Sequence, residues 1–443
     1  MKNKLVFALV LLMLFAIGVL AGSLVYSTII LASVVNWVLV REWVPIASLT
    51  LLAIVVLVTV YFTIRFVDQS RMYGLPEASV RDPLRMTIII PTLNEERTIE
   101  QCVASIIKAN YPHDRLEVLI AYEVPPRCRD STPEIAAALA RKYPCVRAIP
   151  NDGSHAGSKA GSINNCLAQA TGEIIGIYDA DHTIDHDALI RASAQFTANP
   201  WLDCIGGKVM VRHMDYNLFT TITGNESTVI NNFSRFLSEF LTGNHSVYGS
   251  NVFLRKVALE RIGGFDESSL TEDCDLGMKL IRKNCHMRID YTIKSYEQPA
   301  LNFRDWWHQR VRWTRGSMDV LRKHLKQSSK EPINFKTLNT IVLYSLSTGG
   351  LLFSVVLMGF LGFMLYVNVV SPIVLATFAA PLAILFAAES LLQLGEGRGN
   401  IADVLLSIFV RPWIIFAYSL IGVYSVVLEV LEAERDWAEN QRI

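Results

Sequence analysis

The sequence predicts an α/β domain with a mostly parallel sheet, placed between very apolar segments at both ends of the chain. In the middle of the chain, short β-branched runs alternate with stretches of helical length, as they do around parallel sheets. One apolar run ends abruptly in Asp179 and Asp181. Ligands bind outside the carboxyl ends of strands in such sheets, so this end of the sheet is the expected functional site.

Composition sets bounds on function. The 443 residues suffice for two or three domains, and 41 basic residues balance 41 acidic ones, so no nucleic-acid partner is expected. All seven cysteines lie between Cys102 and Cys285, with an odd count and no CxxC pair. This pattern indicates free thiols in a reducing compartment rather than disulfides or a zinc site.

The N-terminal segment, residues 1–67, is expected to cross a membrane twice. Its two apolar runs, from Leu5 to about Val40 and from Pro45 to Phe66, each reach the roughly 20 residues that a spanning helix needs. A cleaved signal peptide ending near Gly22 is the alternative, and it would export the middle domain. The apolar run continues well past that point, which favours membrane anchors.

The C-terminal segment, residues 336–431, is predicted to contain about three more spans, followed by a charged tail at 432–443. The candidate spans are Leu338–Val367, Ile373–Leu394 and Ile401–Leu431. Basic residues follow the N-terminal runs at Arg65, Arg71 and Arg81, as they do on cytosolic faces. We therefore expect a multi-pass protein of the cell membrane, in contact with membrane lipid, whose middle domain faces the cytosol.

The middle domain, residues 68–300, is predicted to alternate strands and helices. The expected strands, besides the one that ends in Asp179, are Met86–Pro91, Leu116–Glu123, Val146–Ile149, Asp203–Arg212, Ser246–Arg255 and Arg288–Tyr296. The expected helices are Glu95–Asn110, Pro133–Tyr143, Gly157–Ala170, 188–197, Leu218–Leu241 and one that starts after Thr271 as its N-cap. Residues 301–335 form basic, tryptophan-rich helices of the kind that lie in a membrane interface.

The paired aspartates predict a metal site. Two adjacent carboxylates repel each other unless a cation neutralises them. Hard oxygen ligands suit Mg²⁺ or Mn²⁺, and Mg²⁺ commonly bridges one or two carboxylates to substrate phosphates. Asp179 and Asp181 are therefore candidate ligands of Mg²⁺ or Mn²⁺, although a similar pair can simply end a strand.

A set of motifs in a fixed order strengthens this hypothesis. The motifs are PTLNEE at 91–96, SKAGSINN at 158–165, YDAD at 178–181, GGFD at 263–266, TEDCDL at 271–276 and QRVRW at 309–313. Together they resemble the family 2 glycosyltransferases, in particular the membrane-embedded branch that includes cellulose, chitin, hyaluronan and poly-N-acetylglucosamine synthases. The resemblance implies a GT-A type domain that binds a nucleotide sugar.

The resemblance also implies roles for individual residues. Asp273 would be the general base that takes the acceptor proton, and Lys159 would lie beside the donor diphosphate. The alternatives are an ordinary acid in the first turn of a helix and a solvated lysine. The remaining candidates for donor binding are Pro91, Asn94, Glu95, Asp179, Gly249, Ser250, Glu272, Gln309, Arg310, Arg312 and Trp313.

One departure from the family pattern concerns the nucleotide base. The second strand usually ends in two aspartates, whereas here it ends in Glu123. Glu123 could accept a hydrogen bond from the base in their place, with help from residues 130–132. The identity of the base stays open at this point, and uridine is implied by the family alone.

The expected function is inverting transfer from a nucleotide sugar, a UDP-sugar by the resemblance, to a growing polysaccharide. Transfer of one sugar to a lipid acceptor is the alternative inside the class. Outside the class, a membrane protein could use the same fold to bind a nucleotide without catalysis. Sequons begin at Asn225, Asn232 and Asn244, but glycosylation is not expected in a cytosolic domain.

Overall fold

The computed structural model describes residues 82–228, 235, 238–239, 247–330, 334–342 and 401–433. The predicted spans before residue 68, most of Leu338–Val367 and all of Ile373–Leu394 lie outside these residues. Contacts within the chain separate the elements of the middle domain from a C-terminal helix, and the two units are described separately.

The middle domain contains one eight-stranded sheet with the order β3-β2-β1-β4-β7-β6-β8-β5. Its strands are β1 (Met86–Thr92), β2 (Leu116–Glu123), β3 (Val146–Asn151), β4 (Ile174–Ile177), β5 (Thr183–Ile184), β6 (Cys204–Val211), β7 (Val252–Arg255) and β8 (Met287–Glu297). Four of the seven neighbouring pairs are parallel, because β5 and β7 run against their neighbours. The predicted α/β fold with a mostly parallel sheet is confirmed.

Eight helices accompany the sheet in the described part of this domain. They are α1 (Ile99–Ile107), α2 (Thr132–Lys142), α3 (Lys159–Leu167), α4 (Ala188–Ala198), α5 (Leu218–Thr228), α6 (Lys256–Ile262), α7 (Glu272–Arg282) and α8 (Phe303–Ser328). A single 3₁₀ turn, His113–Arg115, precedes β2, and a short helical segment occupies 335–342.

The central strands are buried on both faces. In β1, Ile88 and Ile90 belong to the core on one face of the sheet and Ile89 to the core on the other. Strands covered on both sides are continuous apolar runs, which is why MTIIIP is readable in the sequence. Fully burying each such isoleucine stabilises the fold by roughly 1.5–3 kcal/mol. This burial also fixes the position of the strand ends at the edge of the sheet.

Several predicted boundaries were wrong for local reasons. Helix α1 begins at Ile99 rather than Glu95, because Asn94 has a left-handed φ of 56° and the chain turns there first. Strand β7 begins only at Val252, and the residues from Gly249 to Asn251 form an irregular turn in which Asn251 also has a positive φ.

Two further helical predictions concern the segments after β6 and before α7. Of the helix predicted over Leu218–Leu241, Leu218–Thr228 and residues 235, 238 and 239 are helical, and the rest lies outside the described residues. Thr271 does precede α7, but its side chain makes no capping bond. Its hydroxyl oxygen is buried and has no hydrogen-bond partner within the described residues.

The C-terminal unit contributes one described helix, α9 (Ile401–Val430). It confirms the helix predicted over Ile401–Leu431, but the structure does not support it as a membrane span. Within the described ranges, none of the helices combines the length and apolar character required to cross a bilayer.

Candidate active site

Lys159 is the point at which the distant motifs meet. Its position is set by the start of α3, where the Ser158 hydroxyl accepts a hydrogen bond from the Gly161 amide at 3.0 Å and caps the helix. The Lys159 ammonium lies 2.5 Å from the Asp179 carboxylate and 3.3 Å from that of Glu272. Three of the predicted site residues, from α3, the end of β4 and the start of α7, are therefore in contact.

The turn before β7 closes this cluster. Lys159 also donates to the Gly249 carbonyl at 3.1 Å. A Cβ atom on Gly249 would lie only 2.7 Å from the lysine nitrogen and 3.4 Å from a Glu272 oxygen. Only glycine leaves room for the ammonium here, so Gly249 lies directly against the Lys159 cluster because it has no side chain.

Charge balance in the cluster is uneven. Burial alone lowers the pKa of Lys159, but Asp179 and Glu272 outweigh burial and hold the pKa above its ordinary value, so this lysine is a permanent cation. Its charge partly balances three carboxylates, since Asp273 also faces this cluster. The cluster therefore carries excess negative charge, which favours the binding of a cation.

Asp273 has the properties of a base that works near neutral pH. Burial, and then the neighbouring Glu272 carboxylate, raise its pKa to about 6. Lys159, a hydrogen bond from the Cys274 amide and the Arg312 guanidinium act in the opposite direction. A carboxyl group with a pKa in this range is ionised at pH 7 and still basic enough to accept a proton.

A candidate metal site lies beside this cluster. Atoms of Asp179, Asp181 and His182 that can each serve as a ligand all lie within 4.8 Å of one another. His182 is buried, and its Nδ1 is 3.1 Å from the Ser295 hydroxyl. Its Nε2 is 4.0 Å from Asp181 Oδ1 and 3.8 Å from Glu297 Oε2. Two carboxylates and an imidazole form a donor set that suits a divalent cation.

His182 was missed by the sequence analysis. The only available signal was its position directly after Asp181. What brings it to the site is the pairing of β5 with β8, in which Thr183 faces Tyr296 and Ile184 faces Ser295. That pairing joins residues more than a hundred positions apart and could not be inferred from the sequence.

The backbone that carries the two aspartates is held on both sides. The Asp179 amide donates to the Ser250 hydroxyl at 3.1 Å, so Ser250 acts on this loop rather than on a ligand. Arg212 donates to the Asp181 carbonyl at 2.9 Å. Tyr178, fully buried, donates to the Asn251 side chain at 2.8 Å. The aspartates are thereby fixed before any ligand arrives.

Predicted residues at the ends of β1 and β2 support the site from outside. Pro91 is buried within β1. Asn94 accepts a hydrogen bond from the Arg129 amide at 2.7 Å, and Glu95 accepts one from the Thr98 hydroxyl at 2.8 Å. The Asn94 contact braces the loop after β2, and the Glu95 contact holds the turn before α1.

Glu123 is placed differently from the prediction. It is completely buried, and its carboxylate accepts hydrogen bonds from Asn151 at 2.6 Å, Ser162 at 3.1 Å and the Gly157 amide at 3.1 Å. Such a carboxylate has no accessible oxygen to offer a nucleotide base. Its role here is to hold β3 and the loop before α3, and thus to position Lys159.

The QRVRW segment divides into an inner and an outer face of α8. Arg310, predicted to contact the donor, is only 1% exposed and pairs with the buried Glu226 at 2.9 Å. Its guanidinium also covers one face of the Trp313 ring at 4.1 Å. Gln309, Arg312 and Trp313 stay partly exposed. These three side chains can therefore contact a substrate, whereas Arg310 is part of the core.

We expect Gly249→Ala to impair donor binding with little loss of stability. The added methyl group would displace the end of the Lys159 side chain, which is flexible and can yield without breaking the core. The donor KM should rise by about tenfold, as expected when one charge-assisted contact of roughly 1.4 kcal/mol is lost. Gly153→Ala is the matched control, because nothing lies within 4 Å of its added Cβ. Equal KM values in the two variants would contradict the role of Gly249.

One family model matches part of the chain. Residues 174–388 match the family model described as Glycosyl transferase family group 2. The match begins at β4 and contains the aspartate pair, the start of α7 and the QRVRW segment. This part of the chain, slightly less than half of it, is therefore similar to that family of glycosyltransferases.

Curated relatives include proteins with different products. The chain is 26% identical over 247 residues to the probable glycosyltransferase YdaM of Bacillus subtilis, covering 56% of this chain and 58% of that protein. It is 27% identical to a beta-monoglucosyldiacylglycerol synthase of Synechocystis, covering 57% and 52%. It is 28% identical to a poly-beta-1,6-N-acetyl-D-glucosamine synthase of Staphylococcus epidermidis, covering 53% and 55%. The chain thus spans about half the length of the curated relatives it matches.

A solved structure supports the fold. The mannosyltransferase PcManGT from Pyrobaculum calidifontis, in complex with GDP-Man and Mn²⁺, superposes with a TM-score of 0.53 and 20% sequence identity. The superposition covers 89% of this chain and 99% of that one. At this level of identity the likeness shows a shared GT-A-like fold.

Proposed function

We propose that this glycosyltransferase domain transfers a sugar from a nucleotide sugar to an acceptor hydroxyl, with inversion at the anomeric carbon and with a divalent cation. The observation that carries the proposal is the convergence on Lys159 of Asp179, from the end of β4, and of Glu272, from the start of α7. A site with a fixed ammonium, excess carboxylates and an adjacent carboxyl of raised pKa suits the transfer of a group away from a diphosphate.

In this mechanism each protein group acts at a stated atom. The Lys159 ammonium binds a phosphate oxygen of the donor and stabilises the charge that grows on the departing diphosphate. Asp273 accepts the proton of the acceptor hydroxyl as that oxygen attacks the anomeric carbon. Arg312, which carries fixed positive charge close enough to lower the pKa of Asp273, would also face the diphosphate.

The cation would be Mg²⁺ or Mn²⁺, and Asp179, Asp181 and His182 would hold it. When bound, it neutralises charge on the leaving nucleoside diphosphate. The grouping of three ligand side chains within 4.8 Å supports this assignment. The related fold solved with GDP-Man and Mn²⁺ is consistent with it.

The donor's base and sugar follow less directly from the site. The resemblance to polysaccharide synthases favours a UDP-sugar. Glu123, the residue first considered for the base, is occupied by Asn151, Ser162 and the Gly157 amide. Recognition of the base therefore falls to the backbone near the end of β2 and to the loop at 127–132.

Two acceptors are consistent with the relatives, a growing polysaccharide and a lipid. One relative is named as a synthase of poly-beta-1,6-N-acetyl-D-glucosamine and another as a synthase of beta-monoglucosyldiacylglycerol. We favour the polysaccharide, because the partly exposed indole of Trp313 offers a flat surface on which a terminal sugar ring can stack. Arg310 fixes the orientation of that ring from the opposite side.

We place the enzyme in the cell membrane, with the catalytic domain on the cytosolic side where nucleotide sugars are made. The support is the apolar composition of residues 1–67 and 336–431. Helix α9 adds an exposed apolar stripe at helical spacing, formed by Trp413, Phe416, Leu420, Val423 and Val427. Such a stripe is suited to contact with lipid chains.

The proposal is tested by incubating the purified full chain with a panel of UDP- and GDP-sugars and Mn²⁺, and measuring nucleoside diphosphate release. Release from one donor, lost in EDTA, is the expected result. Binding of a nucleotide sugar without release in the presence of either acceptor class would instead identify a non-catalytic binding protein.

Trp313→Ala is expected to stop chain elongation more than donor binding. Removing the indole removes the stacking surface, worth about 1–3 kcal/mol per ring by analogy with base stacking on aromatic side chains. Product size should fall while the donor KM changes less than about threefold. The measurement is the size and solvent partitioning of labelled product. A chloroform-soluble product with a single sugar from the unmodified chain would reject the polymer and leave the lipid acceptor.

A further inference from the structure

A second charged cluster surrounds Asp275 of α7 and includes two residues of α8. Asp275, two residues after Asp273, is completely buried. One of its oxygens is 2.9 Å from His324 Nε2 and 2.6 Å from Lys323 Nζ, and both of those residues belong to α8. Its other oxygen is 3.5 Å from Lys279. This cluster takes no part in the mechanism proposed above.

The same cluster reaches the GGFD turn. Lys323 Nζ is also 2.5 Å from the Asp266 carboxylate, whose pKa is lowered to about 2, since the bond from Lys323 and those from Ser268 outweigh the effect of burial. Lys279 donates to the Gly264 carbonyl at 3.1 Å. The GGFD turn, α7 and α8 are thus joined through two lysines and a histidine.

His324 forms a buried hydrogen bond with Asp275. Its side chain is 1% exposed, and its Nδ1 has no hydrogen-bond partner in the part of the chain that the structure describes. An unpaired ring nitrogen is less costly as an acceptor than as an N–H donor, so we assign the proton to Nε2, which donates to Asp275. A buried, charge-assisted bond of this kind fixes two helices in one register.

A second contact sets the distance between the same helices. A Cβ atom on Gly316 of α8 would overlap the side chain of Thr271, the residue that precedes α7. The glycine therefore allows α8 to approach the start of α7 more closely than any other residue would. The two contacts, at Gly316 and at His324, are about two helical turns apart on α8.

We propose that Asp275, His324 and Lys323 are positioning residues that hold α8 against α7, so that Asp273 and the Gln309–Trp313 segment face the same donor. The inference rests on the proposed transferase function. None of the three residues contacts the Lys159 cluster. They act through the rigidity of α8, a continuous helix of 26 residues that carries His324 near one end and Gln309 near the other.

The test compares His324→Leu, which removes the donor to Asp275, with His324→Gln, whose amide can replace Nε2–H. Lys323→Met is compared with Lys326→Met, an exposed lysine on the same helix. We expect His324→Leu and Lys323→Met to lower kcat by about 10- to 100-fold, as small misplacements of catalytic groups do. The donor KM should change less than about threefold, and His324→Gln and Lys326→Met should behave like the unmodified chain.

Hydrogen exchange provides a readout that does not depend on activity. His324→Leu and Lys323→Met should speed amide exchange at 309–313 as well as near residue 324. If His324→Leu does not fold, Lys323→Met still decides the question, because Lys323 is partly exposed. Faster exchange confined to the turns around residue 324, with kcat per donor-binding site unchanged, would overturn the proposal.

The transferase function and the positioning role of Asp275, His324 and Lys323 can be tested separately. If the unmodified chain releases no nucleoside diphosphate from any sugar nucleotide, the transferase function falls. The exchange at 309–313 then still reports whether Asp275 and its partners hold α8 in place.

Discussion

Asp273→Asn is expected to lower turnover by roughly 10²- to 10⁴-fold, the usual contribution of a positioned general base. The amide cannot accept the acceptor proton, whereas the Lys159 contacts that bind the donor stay in place. Donor affinity should therefore change little. The measurement is kcat and donor affinity side by side, with Asp114→Asn, an exposed acid far from the site in sequence, as the control.

The same residue predicts the acid limb of the pH profile. Asp273 acts when ionised, and burial followed by Glu272 raises its pKa to about 6. The rate should rise as pH increases through about 6 and level off above it. In Asp273→Asn this limb should disappear from the residual activity.

Asp273→Asn should also stabilise the fold at neutral pH. A carboxyl whose pKa is higher in the folded than in the unfolded state stabilises the fold below pH 3.8 and loses that contribution as pH rises through about 6. At pH 7 the ionised group is destabilising, so the free energy of unfolding of the variant should rise by an amount on the order of 1 kcal/mol.

The catalytic role has its own contradicting outcome. Lost donor affinity with turnover preserved at saturation would make Asp273 a binding residue.

Asp181→Ala is expected to abolish turnover and to weaken donor binding only when metal is present. The substitution removes one of three grouped ligands for the cation, and Asp179 is already engaged by Lys159. Asp179→Ala should impair both metal and lysine contacts. Mn²⁺ binding can be followed directly by titration, with and without donor.

Asp114→Ala serves as the control for a lost negative charge in these titrations. Unchanged Mn²⁺ affinity in Asp181→Ala would contradict the assignment of the metal ligands. Full activity of either aspartate variant in EDTA would exclude a role for the metal altogether.

The features that were predicted best from the sequence are those that depend on a local pattern of residues. Strands such as Met86–Thr92 are readable because burial on both faces requires a continuous apolar run. The aspartate pair could be placed at a ligand-binding edge because parallel strands end together. The seven free cysteines followed from count and context, and they are confirmed.

The positions of individual side chains within the site could not be predicted in the same way. Glu123 ends a strand as an exposed ligand residue would, but a partner 28 positions away, Asn151, turns its carboxylate into the core. Arg310 lies one helical turn from Trp306, and both are held by the buried Glu226. These contacts join residues that are distant in sequence, and local pattern carries no information about them.

The convergence on Lys159 was likewise only implied, through the resemblance to a family. Lys159 is separated from Gly249 by 90 positions, and the contact depends on the absence of a Cβ there. A glycine before a strand is ordinary in sequence. The importance of Gly249 follows from the structure, in which the Lys159 ammonium donates to the Gly249 carbonyl.

The roles of Lys159, Asp181 and Asp273 are tested most directly by a structure of the full chain with Mn²⁺ and a nucleotide sugar that it does not hydrolyse. We expect the diphosphate between Lys159 and the metal at Asp181, with the Asp273 carboxylate facing the anomeric carbon from the side opposite the leaving group. A donor bound with its diphosphate away from Lys159, or with Asp273 on the same side as the leaving group, would contradict these roles.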